Sequence, residues 1–282
     1  MHVVETVDEL RRALADKKQK ASSVVGLVPT MGYLHEGHAA LVRRARAECD
    51  QVVVSIFVNP TQFGPGEDLE AYPRDLPRDL DVLGGEGVDV VLAPPQDGFY
   101  PPGADTFVIP GGIADTLEGA HRPGHFRGVA TVVSMLLNAA RPDRAYFGEK
   151  DWQQLLVVRR MVRDLLMPVE IVALPIVREP DGIAMSSRNV RLTPAARTAA
   201  LGIPRALEAA RTAFAAGERG REALERVMAN ELAKTPEISV VYAVVVVAET
   251  LRPHDRVDAA ARALIAARVG SVRLIDNAPL GG

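Results

Sequence analysis

Over its first two thirds the chain switches between two hydrophobic periods. Continuous apolar runs, most of them rich in valine, fall at 23–28, 52–58, 88–93, 144–147 and 169–174. Their length and β-branched content suit strands buried on both faces. Between them, apolar residues recur at helical spacing near 7–18, 38–49, 68–84, 127–140 and 152–166. This alternation predicts a parallel sheet covered by helices, and ligands of such sheets bind beyond the carboxyl ends of the strands. After about residue 176 the texture changes. A polar loop, 178–189, is punctuated by Pro180 and Gly182 and reads as a hinge. Thr193-Pro194 then opens a long alanine-rich helix over 195–216, with Thr as N-cap and Pro at the first helical position. A second helix is expected near 219–234, and strands near 239–248, 262–269 and 271–276. The run Val240–Ala248 reads as a buried strand and is too short to cross a bilayer.

The pattern therefore predicts an α/β protein: a Rossmann-like parallel-sheet domain over 1–176 and a smaller C-terminal α+β domain, acting as a lid, over 177–282. Composition narrows its class. At 282 residues, with 48% hydrophobic and 24% charged side chains, the chain has enough material for a substantial core and an ordinary water-facing surface. A net charge of −3 argues against a nucleic-acid surface or polybasic membrane contact, so neither partner is expected. One cysteine, Cys49, leaves no intrachain disulfide and no cysteine-built zinc site; it falls on the apolar stripe of a helix and reads as core. Glu5, Asp8 and Glu9 interrupt any signal-peptide core at the N-terminus, and a cytoplasmic location is expected.

Candidate chemistry gathers where strands end. Residues 28–38 read V-P-T-M-G-Y-L-H-E-G-H. Leu41, Ala45 and Cys49 recur every four residues, so a helix begins near His38 and both His35 and His38 lie at or just before its N-terminus. That end carries about half a positive charge and unpaired N–H groups, and Gly37 lets the backbone approach an anion closely. Imidazoles there suit phosphate oxygens. Two other readings stand beside this one: a metal pair, for which no third ligand is evident, and a plain turn. M-S-S-R-N at 185–189 offers two hydroxyls and a guanidinium, a phosphate clamp or a solvated loop. In Y-F-G-E-K-D-W-Q-Q, 146–154, Lys150 stands just past a strand end. There Asp151 reads as N-cap of the next helix, with Gln154 as its capping-box partner. In V-N-P-T-Q-F-G, 58–64, Asn59 and Gln62 are neutral amides that suit a carboxylate which must stay nucleophilic, although Asn59 before Pro60 also fits an ordinary turn.

The H-x-G-H pattern resembles the signature of nucleotidyltransferases and class I aminoacyl-tRNA synthetases, and M-S-S-R resembles a variant of their second phosphate-binding loop. With P-T-M-G-Y-L-H-E-G-H, S-I-F-V-N-P-T-Q-F-G-P-G-E-D-L-E-A-Y-P-R-D-L-P-R-D-L, R-P-G-H-F-R-G-V, R-P-D-R-A-Y-F-G-E-K-D-W-Q-Q-L, D-G-I-A-M-S-S-R-N and R-L-I-D-N, the chain resembles the pantoate–β-alanine ligases along nearly its whole length. The resemblance implies ATP-dependent condensation of (R)-pantoate with β-alanine through a pantoyl adenylate, with Mg²⁺, in a homodimer. It places Met31, Gly32, Tyr33, Leu34, His35, Glu36, Gly37 and His38 at ATP, together with Gly148, Glu149, Lys150, Asp151, Val177, Met185, Ser186, Ser187 and Arg188. His38 takes the proton-donor role, with His35, Lys150 and Arg188 as the other catalytic groups, and Gln62 and Gln154 hold pantoate. The metal ligands are not implied.

Two positions depart from the family pattern. Tyr33 stands where a small residue or Asn is usual, and Met135 stands where a lysine is usual. His121 and His125 are separated by Pro123 and Gly124, which argues against a helical metal pair; they read as flap or structural residues. A cytidylyltransferase would not need the V-N-P-T-Q-F-G and G-E-K-D-W-Q-Q stretches, and a binding module without turnover would not need His38, Lys150 and Arg188 together.

Overall fold

The computed structural model describes residues 1–17, 23–95 and 98–281. The chain forms two compact units, Met1–Glu149 with Gln153–Pro175, and Lys150–Trp152 with Ile176–Gly282. The first holds β1 (His2–Val4), α1 (Val7–Lys17), β2 (Val25–Thr30), α2 (Glu36–Glu48), β3 (Gln51–Ile56), α3 (Leu76–Gly85), β4 (Val90–Leu92), α4 (Glu118–His121), α5 (His125–Ala140), β5 (Arg144–Gly148), α6 (Trp152–Asp164) after its first residue, and β6 (Glu170–Leu174). All six strands are parallel, in the order β1-β4-β3-β2-β5-β6. The expected helix-flanked parallel sheet is therefore what forms. The strand β1 was not anticipated; three residues at a sheet edge carry too little periodicity to read.

Connections run leftward from β2 through β3 to β4 and rightward from β5 to β6, so β2 and β5 border the switch point where a crevice opens. The ladder shows it opening. β2 and β5 pair only at Gly26–Arg144 and Leu27–Ala145, although β2 runs on to Thr30 and β5 to Gly148. Pro29, just past the apolar run 23–28, lies inside β2. Val25 turns its carbonyl to Asp143 on the β5 side, and Thr30 turns its own to Phe57 on the β3 side. By alternation the missing N–H of Pro29 faces β5 after that pairing has ended, so the proline costs no ladder bond.

Behind the sheet the core packs Val28, Leu34, Leu41, Val42, Ala45, Val52, Val54 and Val91 around Cys49 and Tyr146. Gly26 is required there, since a Cβ would come within 2.8 Å of Cys49 Sγ. Helix α3 is shorter than its period suggested. Asp75 caps it, accepting from Arg78 N at 3.2 Å, and the stretch before it is turn.

The second unit contains α7 (Pro194–Ala200), α8 (Gly202–Ala215), α9 (Arg221–Leu232) and the antiparallel sheet β7 (Ile238–Val247), β8 (Ala261–Val269), β9 (Val272–Pro279), in that order. Thr193 caps α7 as expected, its Oγ1 accepting from Ala196 N at 3.2 Å. The long helix predicted after it is broken at Leu201, where Gly202 packs so closely that a Cβ would meet Ile238 Cδ1 at 2.6 Å. The valine run in β7 is not a buried strand. It is an edge strand buried only in part: Val245 and Val246 are buried, and Val240 is 45% exposed.

Candidate active site

Residues 31–38 leave the end of β2 through a left-handed pair, Gly32 at φ +80° and Tyr33 at φ +49°. Asp79 of α3 makes this turn possible. Its carboxylate is 1% exposed and accepts from Tyr33 N and Leu34 N, both at 2.7 Å. Burial pushes the Asp79 carboxyl up, against the two amide N–H groups that favour its charge. Arg78 donates to Leu34 O at 3.0 Å and lies 5.0 Å from the Tyr33 ring centroid.

The chain then enters α2 two residues earlier than the periodicity indicated, because the imidazoles themselves cap it. His35 is the N-cap and its Nδ1 accepts from Gly37 N at 3.1 Å; His38 Nδ1 accepts from His35 N at 3.3 Å. The rings stack with centroids 4.0 Å apart. A nitrogen that accepts from a backbone N–H carries no proton, so in each neutral ring the proton sits on Nε2. The fold thereby sets both histidines as Nε2–H donors at a helix N-terminus.

On the other side of β2, the turn after β3 is built on Asn59, which is 1% exposed. Its Nδ2 donates to Gln62 Oε1 at 3.0 Å and Gly128 O at 3.2 Å, and its Oδ1 accepts from Tyr100 OH at 2.8 Å and Thr61 Oγ1 at 2.9 Å. The Asn59 amide is thus spent inside the fold, holding Gln62. Gln62 Nε2 in turn reaches Met31 Sδ at 3.2 Å, which ties this turn to the loop after β2. Gly128 of α5 fits against the turn only without a side chain, as a Cβ would lie 2.3 Å from Thr61 O.

A charged chain supports Gln62 from behind. His125 is buried; its Nδ1 lies 2.8 Å from Gln62 O and its Nε2 3.1 Å from Arg122 Nη1. Arginine can only donate, so Nε2 accepts, and Nδ1–H donates to the carbonyl. Burial and the Arg122 charge push the His125 pKa down to about 4, in keeping with this neutral tautomer. Arg122 also forks onto Glu67 at 2.7 and 2.6 Å. Burial disfavours the Glu67 carboxylate, yet the Arg122 bonds and charge outweigh it and hold its pKa below the usual range. Of the two histidines read as flap or structural, His125 is structural.

Gly148 ends β5, beside β2, and Glu149 follows it. Glu149–Asp151 form a 3-10 turn running straight into α6, so Asp151 lies within a turn rather than standing as an N-cap. Gln154 is half-buried in the first turn of α6; its neighbour Gln153 is buried and pins the 113–118 segment, donating to Ile113 O at 2.8 Å and Thr116 O at 2.7 Å.

In the second unit, Lys150 Nζ lies 3.8 Å from Asp151 Oδ1, and the Lys150 carbonyl accepts from Asn277 Nδ2 at 2.9 Å. The 178–189 segment folds as a small hairpin: Val177 O accepts from Met185 N at 3.0 Å, Glu179 N donates to Ile183 O at 2.8 Å, and Gly182 turns the tip at φ +97°. Ser186 caps a 3-10 turn, Ser187–Arg191, accepting from Arg188 N at 3.3 Å, and Ser187 is buried. Pro180 and Gly182 thus shape a hairpin tip, and Arg197 clamps it through Glu179 and Asp181.

The first unit therefore gathers Met31 to His38, Gln62, Gly148 and Glu149 at the carboxyl edge of three adjacent strands, and the second gathers Lys150, Val177 and Met185 to Arg188 against β9. Among the described residues, no three His, Cys, Asp or Glu side chains cluster as a metal cage, and no helix is long and apolar enough to cross a membrane.

The sequence model of the family described as Pantoate-beta-alanine ligase matches residues 2–279. The chain belongs to that family. The pantothenate synthetase of Roseiflexus castenholzii is 57% identical over 277 residues, 98% of each chain. The crystal structure of pantothenate synthetase from Thermus thermophilus matches with TM-score 0.95 at 50% identity over the whole of both chains. The pantoate-beta-alanine ligase of Francisella tularensis, solved in complex with beta-gamma ATP and beta-alanine, matches with TM-score 0.81 at 32% identity, covering 100% of this chain and 98% of that one.

Within this pantoate–β-alanine ligase the Tyr33 departure has a physical reading. A residue at φ +49° favours Gly or Asn, and here the Asp79 carboxylate and Arg78 hold a tyrosine in the same conformation. Sequence reasoning missed Asp79, Arg122, Glu67 and Gln153. Each lies within or beside a motif stretch, but as a charged or amide residue with no spacing that marks it as buried.

Proposed function

We propose that the chain condenses (R)-pantoate with β-alanine at the expense of ATP, through a pantoyl adenylate. A carboxylate oxygen of pantoate attacks the α-phosphorus and pyrophosphate leaves. The amine of β-alanine then attacks the acyl carbon, the acyl C–O bond to AMP breaks, and the amine loses a proton as the amide forms. The observation that carries this reading is the backbone-fixed tautomer of His35 and His38. Two Nε2–H donors at the N-terminus of α2, beyond the switch-point strand, suit the charge that grows on phosphate oxygens during adenylation.

In this reading His38 is the proton donor, and His35, Lys150 and Arg188 stabilise phosphate charge with Ser186 and Ser187. Gln62 and Gln154 orient pantoate through neutral amides, leaving its carboxylate nucleophilic, and Asn59 acts through Gln62. Mg²⁺, implied by the resemblance, neutralises triphosphate charge when bound. Family membership and the complex of the Francisella relative with beta-gamma ATP and beta-alanine support the substrates. His38→Ala is expected to lower the rate of adenylation about 10²-fold or more, as for loss of a preorganised donor. A variant that forms adenylate at the parent rate would remove His38 from the mechanism.

A further inference from the structure

The motif R-L-I-D-N at the end of the chain has no place in the chemistry above, yet two of its residues are among the most buried polar groups of the second unit. Asp276 is 4% exposed and Asn277 is 2% exposed, side by side on β9. They hold two separate stretches. Asp276 accepts a guanidinium fork from Arg178, at 2.7 Å to Oδ2 and 3.0 Å to Oδ1. Arg178 opens the hairpin that presents Met185 to Arg188, and its Nη1 also closes that hairpin on Gly182 O at 3.0 Å. Asn277 donates from Nδ2 to the backbone carbonyl of Lys150 at 2.9 Å. Two residues further on, Trp152 Nε1 donates to Ala248 O at 2.9 Å, and Arg262 lies 3.6 Å from the Trp152 ring centroid. The 150–152 stretch is therefore fastened to the second unit at two points, and Asn277 is the one that grips Lys150 itself.

We propose that Asp276 and Asn277 are positioning residues for adenylation: adjacent on one strand, they set Lys150 and the 185–188 turn in a common frame. Neither side chain touches substrate in this account. Asn277 acts through Lys150 and Asp276 through Arg178 on the phosphate-binding turn. Strand β9 is a good carrier for the role. It is paired with β8 over its whole length, Arg262–Pro279 to Val269–Val272, so the two side chains stand on a rigid base. The inference rests on the reading that Lys150 and Arg188 meet ATP phosphates.

The test is a double-mutant cycle on the full-length enzyme, read as exchange of labelled pyrophosphate into ATP with (R)-pantoate and no β-alanine. Asn277→Ala alone should slow exchange about 10-fold or more, the scale on which supporting partners act, with the KM for pantoate within about twofold. In the Lys150→Ala background the same substitution should cost less than about twofold, because the group it positions is gone. A structural role would lower both backgrounds equally, and equal losses would overturn the inference, as would an Asn277→Ala enzyme at the parent rate. Should Asn277→Ala fail to fold, Asp276→Asn, which keeps size and one acceptor, is cycled against Arg188→Ala with the same two outcomes. A Lys150→Ala enzyme that exchanges at the parent rate would instead remove the underlying reading, and that result is visible without the Asn277 variant.

Discussion

Single residues show where a sequence speaks and where it misleads. His35 and His38 are placed by their spacing near the start of a helix; the structure seats them as caps of α2 and adds their tautomer, which no spacing encodes. Asn59 reads from the sequence as a substrate amide or a turn residue; in the structure its amide bonds to Gln62, Gly128, Tyr100 and Thr61. Asp79 was invisible, since a charged residue on a helix reads as solvated until the loop it serves is folded against it. The strain at Tyr33 belongs to this scale. Tyr33→Asn is expected to be at least as stable as the parent, and Tyr33→Val about 1–2 kcal/mol less stable, because a β-branched side chain resists the left-handed region. Urea midpoints for the three proteins check this; equal midpoints for Asn and Val would show that position 33 does not hold that conformation in solution.

Elements were read well where burial imposed one period and poorly where a cap, a close approach or an edge intervened. Apart from β1, the sheet strands and α5 fall close to where the pattern placed them. Helix α3 lost its first two turns to the Asp75 cap, the long helix split where Gly202 meets Ile238, and the valines of β7 turned out to line an edge. Contacts between elements carry the pH dependence. His125, the first residue of α5, is held neutral between Arg122 and Gln62 O, with a folded pKa of about 4 against 6.5 unperturbed. Between those values the unfolded chain takes up a proton that the folded chain refuses, so this group's contribution to stability is full above pH 6.5 and is lost as pH falls toward 4. The loss amounts to roughly 3 kcal/mol by the lower end. Comparing the parent with His125→Asn by denaturant titration from pH 7.5 to 4.5 isolates it: the advantage of the parent should shrink as the pH falls. A difference independent of pH would contradict the neutral, buried assignment.

At the scale of the whole molecule, hydrophobic runs say that strands are buried and parallel but not which strands are neighbours. The order β1-β4-β3-β2-β5-β6 puts the loops after β3, β2 and β5 side by side, and the motif stretches that end those strands become one edge of a sheet only through that order. Nor does the sequence show that the chain passes between its two units three times, after Glu149, Trp152 and Pro175, so that Lys150 belongs with β9 rather than with the strand that leads to it. In the proposed reaction this edge activates a carboxylate by adenylation. Exchange of labelled pyrophosphate into ATP, with and without (R)-pantoate and with β-alanine absent, tests it most directly. Exchange that appears only when pantoate is added is the predicted result. Exchange that is absent with pantoate, or that proceeds equally without it, would contradict the claim.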